Sequence, residues 1–84
     1  MQTEPRELPA TRPHGQVVEI VVPVHNEQQV LEASVTRLHG YLAAGFPFAF
    51  RVTIADNAST DATWPLALRL AGQLPHVRAV HLAE

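Results

Sequence analysis

One stretch limits what this chain can fold into: Val17–Glu27, reading V-V-E-I-V-V-P-V-H-N-E. Its first half is a β-branched apolar run, the kind of sequence a strand buried on both faces needs. Pro23 is expected to end that strand, because proline cannot donate to a ladder. A short polar turn, Val24-His25-Asn26-Glu27, follows, and a helical pattern begins at once. Strand, tight turn and helix make the first half of a βαβ unit. Ligands of open α/β sheets bind beyond the carboxyl ends of the strands. Pro23–Glu27 is therefore the first place to look for function.

The helical pattern is carried by Leu31, Val35, Leu38 and Leu42. Asn26, with Gln29 three residues on, reads as a variant capping box. Gly45 reads as the stop and Pro47 bars continuation, so a helix is expected from about Glu27 to about Ala44. Phe50–Ala55, F-R-V-T-I-A, is a second strand rich in β-branched residues. It delivers Asp56-Asn57-Ala58-Ser59-Thr60-Asp61, a cluster of turn and cap formers. Leu66, Leu70 and Leu74 then form one helical stripe. Pro65 is tolerable only near that helix's first turn, and Pro75 ends it. Val77–Leu82 is a third strand.

The order is β-α-β-α-β with short connections. Right-handed crossovers make the three strands parallel, in spatial order 3-2-1. The loops at Pro23–Glu27 and Asp56–Asp61 then leave adjacent strands at the same end of the sheet. Ahead of these elements, residues 1–16 hold three prolines among charged and small residues and are expected to form a disordered leader.

Composition excludes several function classes. The chain has 84 residues, enough for one small domain, and no cysteine, so disulfides, thiolate chemistry and cysteine-based zinc sites are out. Its formal charge is −2 and its six basic residues are all arginine, which gives no reason to expect nucleic acid as a partner. No apolar run approaches the ~20 residues of a membrane span, and no secretory signal is visible, so a cytoplasmic location is expected. The five histidines show no metal-ligand spacing. No G-x-G-x-x-G, Walker loop or G-x-S-x-G is present, and none of the four glycines lies in either loop. Phosphates of a nucleotide would have to be held another way, for example by a metal.

Each loop has two readings. Glu27 can accept hydrogen bonds from ribose hydroxyls or a base edge; more plainly, Asn26 caps a helix and Glu27 favours its positive end. Asp56 and Asn57 can accept the imide N–H of uracil or guanine; both residue types also simply form turns. Asp61 reads as a cap of the second helix, and Ser59 and Thr60 as partners of backbone groups in the loop.

The paired motifs V-V-P-V-H-N-E and I-A-D-N-A-S-T-D resemble the opening strand-turn and the second motif, commonly D-D-G-S-T-D, of family 2 glycosyltransferases of the GT-A fold. The resemblance covers about Val17–Glu84, including the helices and third strand. It implies that residues 17–84 are the nucleotide-binding half of a GT-A nucleotide-diphospho-sugar transferase domain. The nearest likeness within the family is to polyprenyl-phosphate (dolichyl-phosphate-type) sugar synthases, several of which are fused to a GtrA-like membrane domain. By position, the resemblance implies a nucleotide site at Pro23, Val24, His25, Glu27, Ala55, Asp56 and Asn57. It implies a UDP- or GDP-sugar donor, a lipid-phosphate acceptor, and a divalent metal, Mg or Mn. The family's D-x-D motif, acceptor site and catalytic residues follow the third strand, so these 84 residues alone are expected to be inactive and to meet a membrane only through downstream segments. Two departures stand out. His25 occupies a position where the lipid-phosphate enzymes often have tyrosine, and Asn57 one where an acidic residue is common.

The three-stranded half-sheet would leave Val17–Val22 as an apolar edge, and marginal solubility is expected. The rival reading is a non-catalytic α/β interaction or receiver-like module with Asp56 as phosphoacceptor. Such a module wants an acidic cluster after the first strand and a later lysine, and the chain has neither.

Overall fold

The computed structural model describes residues 16–83, so the expected leader lies outside the described residues except for Gln16. Five elements follow in order: β1 (Val18–Val24), α1 (Leu31–Gly45), β2 (Phe50–Asn57), α2 (Thr63–Gln73) and β3 (Val77–Leu82). The strands form one parallel sheet in the order β1-β2-β3, which is the expected 3-2-1 arrangement viewed from the other edge. β3 has the expected bounds.

Two crossovers of one hand that step across a sheet in the same direction carry their helices to the same face. The core follows this rule. Val24, Val52, Ile54 and Val77 of the sheet pack with Leu31, Val35 and Leu42 of α1 and with Ala67 and Leu70 of α2. Fully burying a Leu or Val side chain contributes about 1.5–3 kcal/mol, so this cluster supplies most of the stabilisation. The stripe on α2 is rotated from the expected one: Thr63, Ala67 and Leu70 are buried, while Leu66 and Leu74 are half-buried.

Among the described residues, no helix covers the other face of the sheet. Register places Glu19, Val21 and Pro23 beside Arg51, Thr53 and Ala55 there, with Arg78 and Val80 beyond. β1 is therefore not buried on both faces as its composition predicts. Its exposure alternates, and Val21 is 56% exposed. Polar side chains cover part of this face. The Thr53 hydroxyl donates to Glu19 Oε2 and accepts from Arg78 Nε at 3.0 Å, while Arg78 reaches Glu19 at 2.9 Å and Arg51 lies 3.7 Å from it. The Thr53 hydrogen bond, then that from Arg78, holds the Glu19 carboxyl below its ordinary range.

Three further expectations need correction. β1 runs through Pro23, which stands in register with Ala55. Among the described residues β1 pairs on one side only, and an edge strand tolerates a missing N–H. α1 begins at Leu31, with Val30 as its cap and no side-chain cap bond. Asn26 sits four residues earlier in the left-handed region, at φ 50, with its side chain engaged elsewhere. Gly45 is not a left-handed stop but the last residue of α1. Phe46 closes the helix through its N–H to the Leu42 carbonyl at 3.0 Å, and Pro47 follows.

Candidate functional site

Three segments meet at the carboxyl end of the sheet: the turn after β1, the loop after β2 and the end of β3. Polar residues in the two loops bind each other across more than thirty positions of sequence. His25 Nδ1–H donates to the Asn57 backbone carbonyl at 2.6 Å. Asn26 Nδ2 lies 3.4 Å from His25 Nε2, which suits a ring with its proton on Nδ1. The Asn26 N–H donates to Ser59 Oγ at 2.8 Å. Asn26 Oδ1 accepts from the N–H groups of Thr60 at 2.8 Å and Asp61 at 3.3 Å. Asn26 thus crosslinks the loops, and the conformation this requires, φ > 0, is one asparagine tolerates better than most residues.

The second helix is anchored in the same way. The Thr63 hydroxyl accepts from the Glu27 N–H at 2.8 Å and donates to Asp61 Oδ1. Asp61 Oδ1 also accepts the Thr63 N–H at 2.8 Å, and Gln28 Oε1 accepts the Ala62 N–H at 2.7 Å. Asp61 therefore caps the first turn of α2 as expected, one residue before the formal cap position. The Thr63 hydrogen bond keeps its carboxyl below the ordinary value.

The expected nucleotide residues divide into two groups. Pro23 and Ala55 are register partners on the bare face, with Val80 beside Ala55. His25, Glu27 and Asn57 are exposed at the carboxyl ends of β1 and β2. Pro23 and Ala55 give an apolar floor, and the His25 ring, bonded to the Asn57 carbonyl, stands at the strand ends. Val24 and Asp56 point the other way. Val24 is in the core, and Asp56 is 0% exposed, with Oδ1 accepting from the Ser59 hydroxyl. A recess of about 330 Å³ is lined by Asn26, Glu27, Gln28, Gln29, Val30 and Asp61.

Sequence reasoning missed the cross-loop roles of Asn26, Gln28, Ser59 and Thr63, and the position of His81 between Asp56 and Trp64. The density of Asn, Ser, Thr and Asp in both loops was the available signal.

No three His, Asp or Glu side chains converge among the described residues, so they do not fit a divalent metal, and no step through one is assigned to them. No helix among them is long and apolar enough to cross a membrane.

Comparison with known proteins agrees with this geometry. Residues 19–84 match the model of glycosyl transferase family 2. The succinoglycan biosynthesis protein ExoA of Rhizobium meliloti (strain 1021) is 43% identical over 58 residues, covering 69% of this chain and 17% of that relative. The chain thus spans less than a fifth of the length of the curated relative it matches. No solved structure matches. A parallel βαβαβ half-sheet with two crosslinked loops at its carboxyl end, matched by the family model across all five elements, places the chain in glycosyl transferase family 2.

Proposed function

We propose that this chain forms the nucleotide-recognising part of a glycosyltransferase that moves a sugar from a UDP- or GDP-sugar to an acceptor, a polyprenyl phosphate. In that reaction the bond from the anomeric carbon to the diphosphate breaks. A new bond forms to an acceptor oxygen, and the nucleoside diphosphate leaves. A phosphate acceptor is already anionic and needs little base assistance. A cytoplasmic site goes with this reading.

The observation that carries the reading is the direct junction of the two loops, His25 Nδ1 to the Asn57 carbonyl at 2.6 Å. It holds the His25 ring against the backbone of Asn57, at the end of the strands that carry Pro23 and Ala55. A nucleobase can lie on the floor those two residues form. The Asn57 amide offers one donor and one acceptor, which matches the N3–H and O4 edge of uracil. The carboxylate of Glu27 can accept from ribose hydroxyls. Val24 and Asp56 contribute from beneath, by backbone and by loop support.

The receiver-like alternative fares worse. A phosphoacceptor carboxylate must be open to attack, and Asp56 is wholly buried.

Isothermal titration of the chain with UDP and GDP tests the proposal. Binding at millimolar concentration or better is expected, weakened about tenfold or more in Glu27→Ala and Asn57→Ala, since each removes one partner of a polar contact. Equal binding by both variants would remove the site from this face.

A further inference from the structure

Asp56 is the one carboxylate that is wholly buried among the described residues. Its Oδ1 accepts from the Ser59 hydroxyl, but its Oδ2 has no hydrogen-bond partner. A buried acceptor left unmade carries a large desolvation cost, and a buried charge a larger one. The nearest donor is His81 Nε2 on β3, at 3.5 Å, and Asp56 and His81 are register partners. The His81 ring lies against the Trp64 indole of α2, with centroids 4.7 Å apart and planes 31° from parallel. Trp64 thus covers one face of the ring, and a shift of a few tenths of an ångström would bring Nε2 to hydrogen-bond length.

The consequence reaches the loops. Ser59 holds Asp56 with its hydroxyl hydrogen and receives the Asn26 N–H on the same oxygen. The Ala58 N–H binds the carbonyl of Leu82, next to His81, at 2.9 Å. A chain of polar contacts thus runs from His81 through Asp56 and Ser59 to Asn26, which crosslinks the rim of the proposed site. The other ionisable groups nearby face elsewhere. His25 faces the Asn57 carbonyl and Asp61 faces Thr63, while Glu19, Arg51 and Arg78 cluster on the opposite sheet face. Glu27 meets α2 through its backbone N–H.

We propose that His81 is a positioning residue of the nucleotide site: held by Trp64, it supplies the missing donor to Asp56 Oδ2 and so fixes the loop whose Ser59 holds Asn26. The nucleotide part of this inference rests on the function proposed above; the pairing itself does not.

Two readouts separate the pairing from the nucleotide reading. The first is amide hydrogen exchange followed by NMR in the ligand-free, ¹⁵N-labelled chain at one fixed pH. The amide signals of Ser59 and Asn26 are expected to shift and to exchange faster in His81→Leu than in the wild type. They should stay close to the wild type in His81→Gln, whose amide N–H replaces Nε2–H. The second readout is UDP affinity. His81→Leu is expected to weaken it about tenfold, whereas His81→Gln stays within about twofold of the wild type, since only the former leaves Asp56 Oδ2 without a donor in reach. Ser59 and Asn26 signals indifferent to His81→Leu would overturn the proposal. So would a folded His81→Leu that binds UDP as the wild type does. Signals that respond to His81→Leu and not to His81→Gln, in a chain that binds neither UDP nor GDP, would uphold the pairing and defeat the nucleotide reading instead.

Discussion

Asn26 Oδ1 accepts the backbone N–H of Thr60 at 2.8 Å across 34 positions of sequence. One side chain thereby joins the turn after β1 to the loop after β2. The same residue holds a left-handed backbone, at φ 50. Replacing it removes both a crosslink and a tolerated conformation. Asn26→Ala is expected to cost about 3–4 kcal/mol, at about 1 kcal/mol for each of the two backbone hydrogen bonds lost from Oδ1 plus about 1–2 for the left-handed residue. Asn26→Gly should cost less than alanine, because it restores the conformation without the bonds. Chemical denaturation of both variants checks the order; alanine equal to glycine would mean that the backbone conformation carries no cost.

The core makes a simpler contrast on one helix. Leu70 is 2% exposed and packs against the sheet, whereas Leu68 is 50% exposed. Leu70→Ala is expected to destabilise by about 2–5 kcal/mol, and Leu68→Ala by no more than about 0.5. Thermal unfolding of the two variants measures the difference. Similar losses would mean that α2 lies on the sheet by a different face.

Acid should weaken the fold through two carboxylates. Glu19 and Asp61 both have their acidity strengthened in the folded state, by Thr53 and Arg78 and by Thr63 respectively. A depressed folded pKa gives stability that is present above the unfolded values, 4.5 and 3.8, and lost as pH falls through the lower folded ones. Glu19→Gln and Asp61→Asn should each flatten the acid limb of stability against pH and leave its neutral-to-basic course parallel to the wild type. An unchanged acid limb in both variants would assign it to other groups.

The bare sheet face and the edge strand should limit solubility. Val21 is 56% exposed on β1, which pairs only with β2 among the described residues. A lysine on an exposed edge strand opposes strand-to-strand association. Val21→Lys is expected to raise the concentration at which light scattering appears, with the melting temperature little changed. An unaltered scattering threshold would show that this edge does not drive association.

Much of this architecture was legible in the sequence because it depends on local pattern. Val77–Leu82 announces a strand by its β-branched and apolar content, and Pro75 sets its start. The βαβαβ order, with handed crossovers, makes the strands parallel, and 3-2-1 is the simplest order it allows. What was not legible depends on partners far along the chain. Asn26 looks like a helix cap in its own window, yet Thr60 and Asp61 claim its side chain, and the helix starts later without a side-chain cap. Pro23 looks like a strand end, yet it stays in register with Ala55 because edge pairing does not need its N–H. At the site, exposure separated residues that the motifs join: Asn57 at the rim and Asp56 beneath are neighbours in sequence that point to opposite faces, as strand alternation requires.

The Glu19–Arg78 contact joins β1 to β3 over the top of β2, across 59 positions of sequence. Those two strands share no ladder, so this bridge can close only when both already flank the central strand. Its formation is therefore a late event in folding, after the loop-closure entropy of both crossovers has been spent. Interactions that form after the rate-limiting step act on escape from the native state rather than on arrival. What this half-exposed bridge contributes is small, and it therefore slows loss of the assembled sheet rather than speeding its assembly.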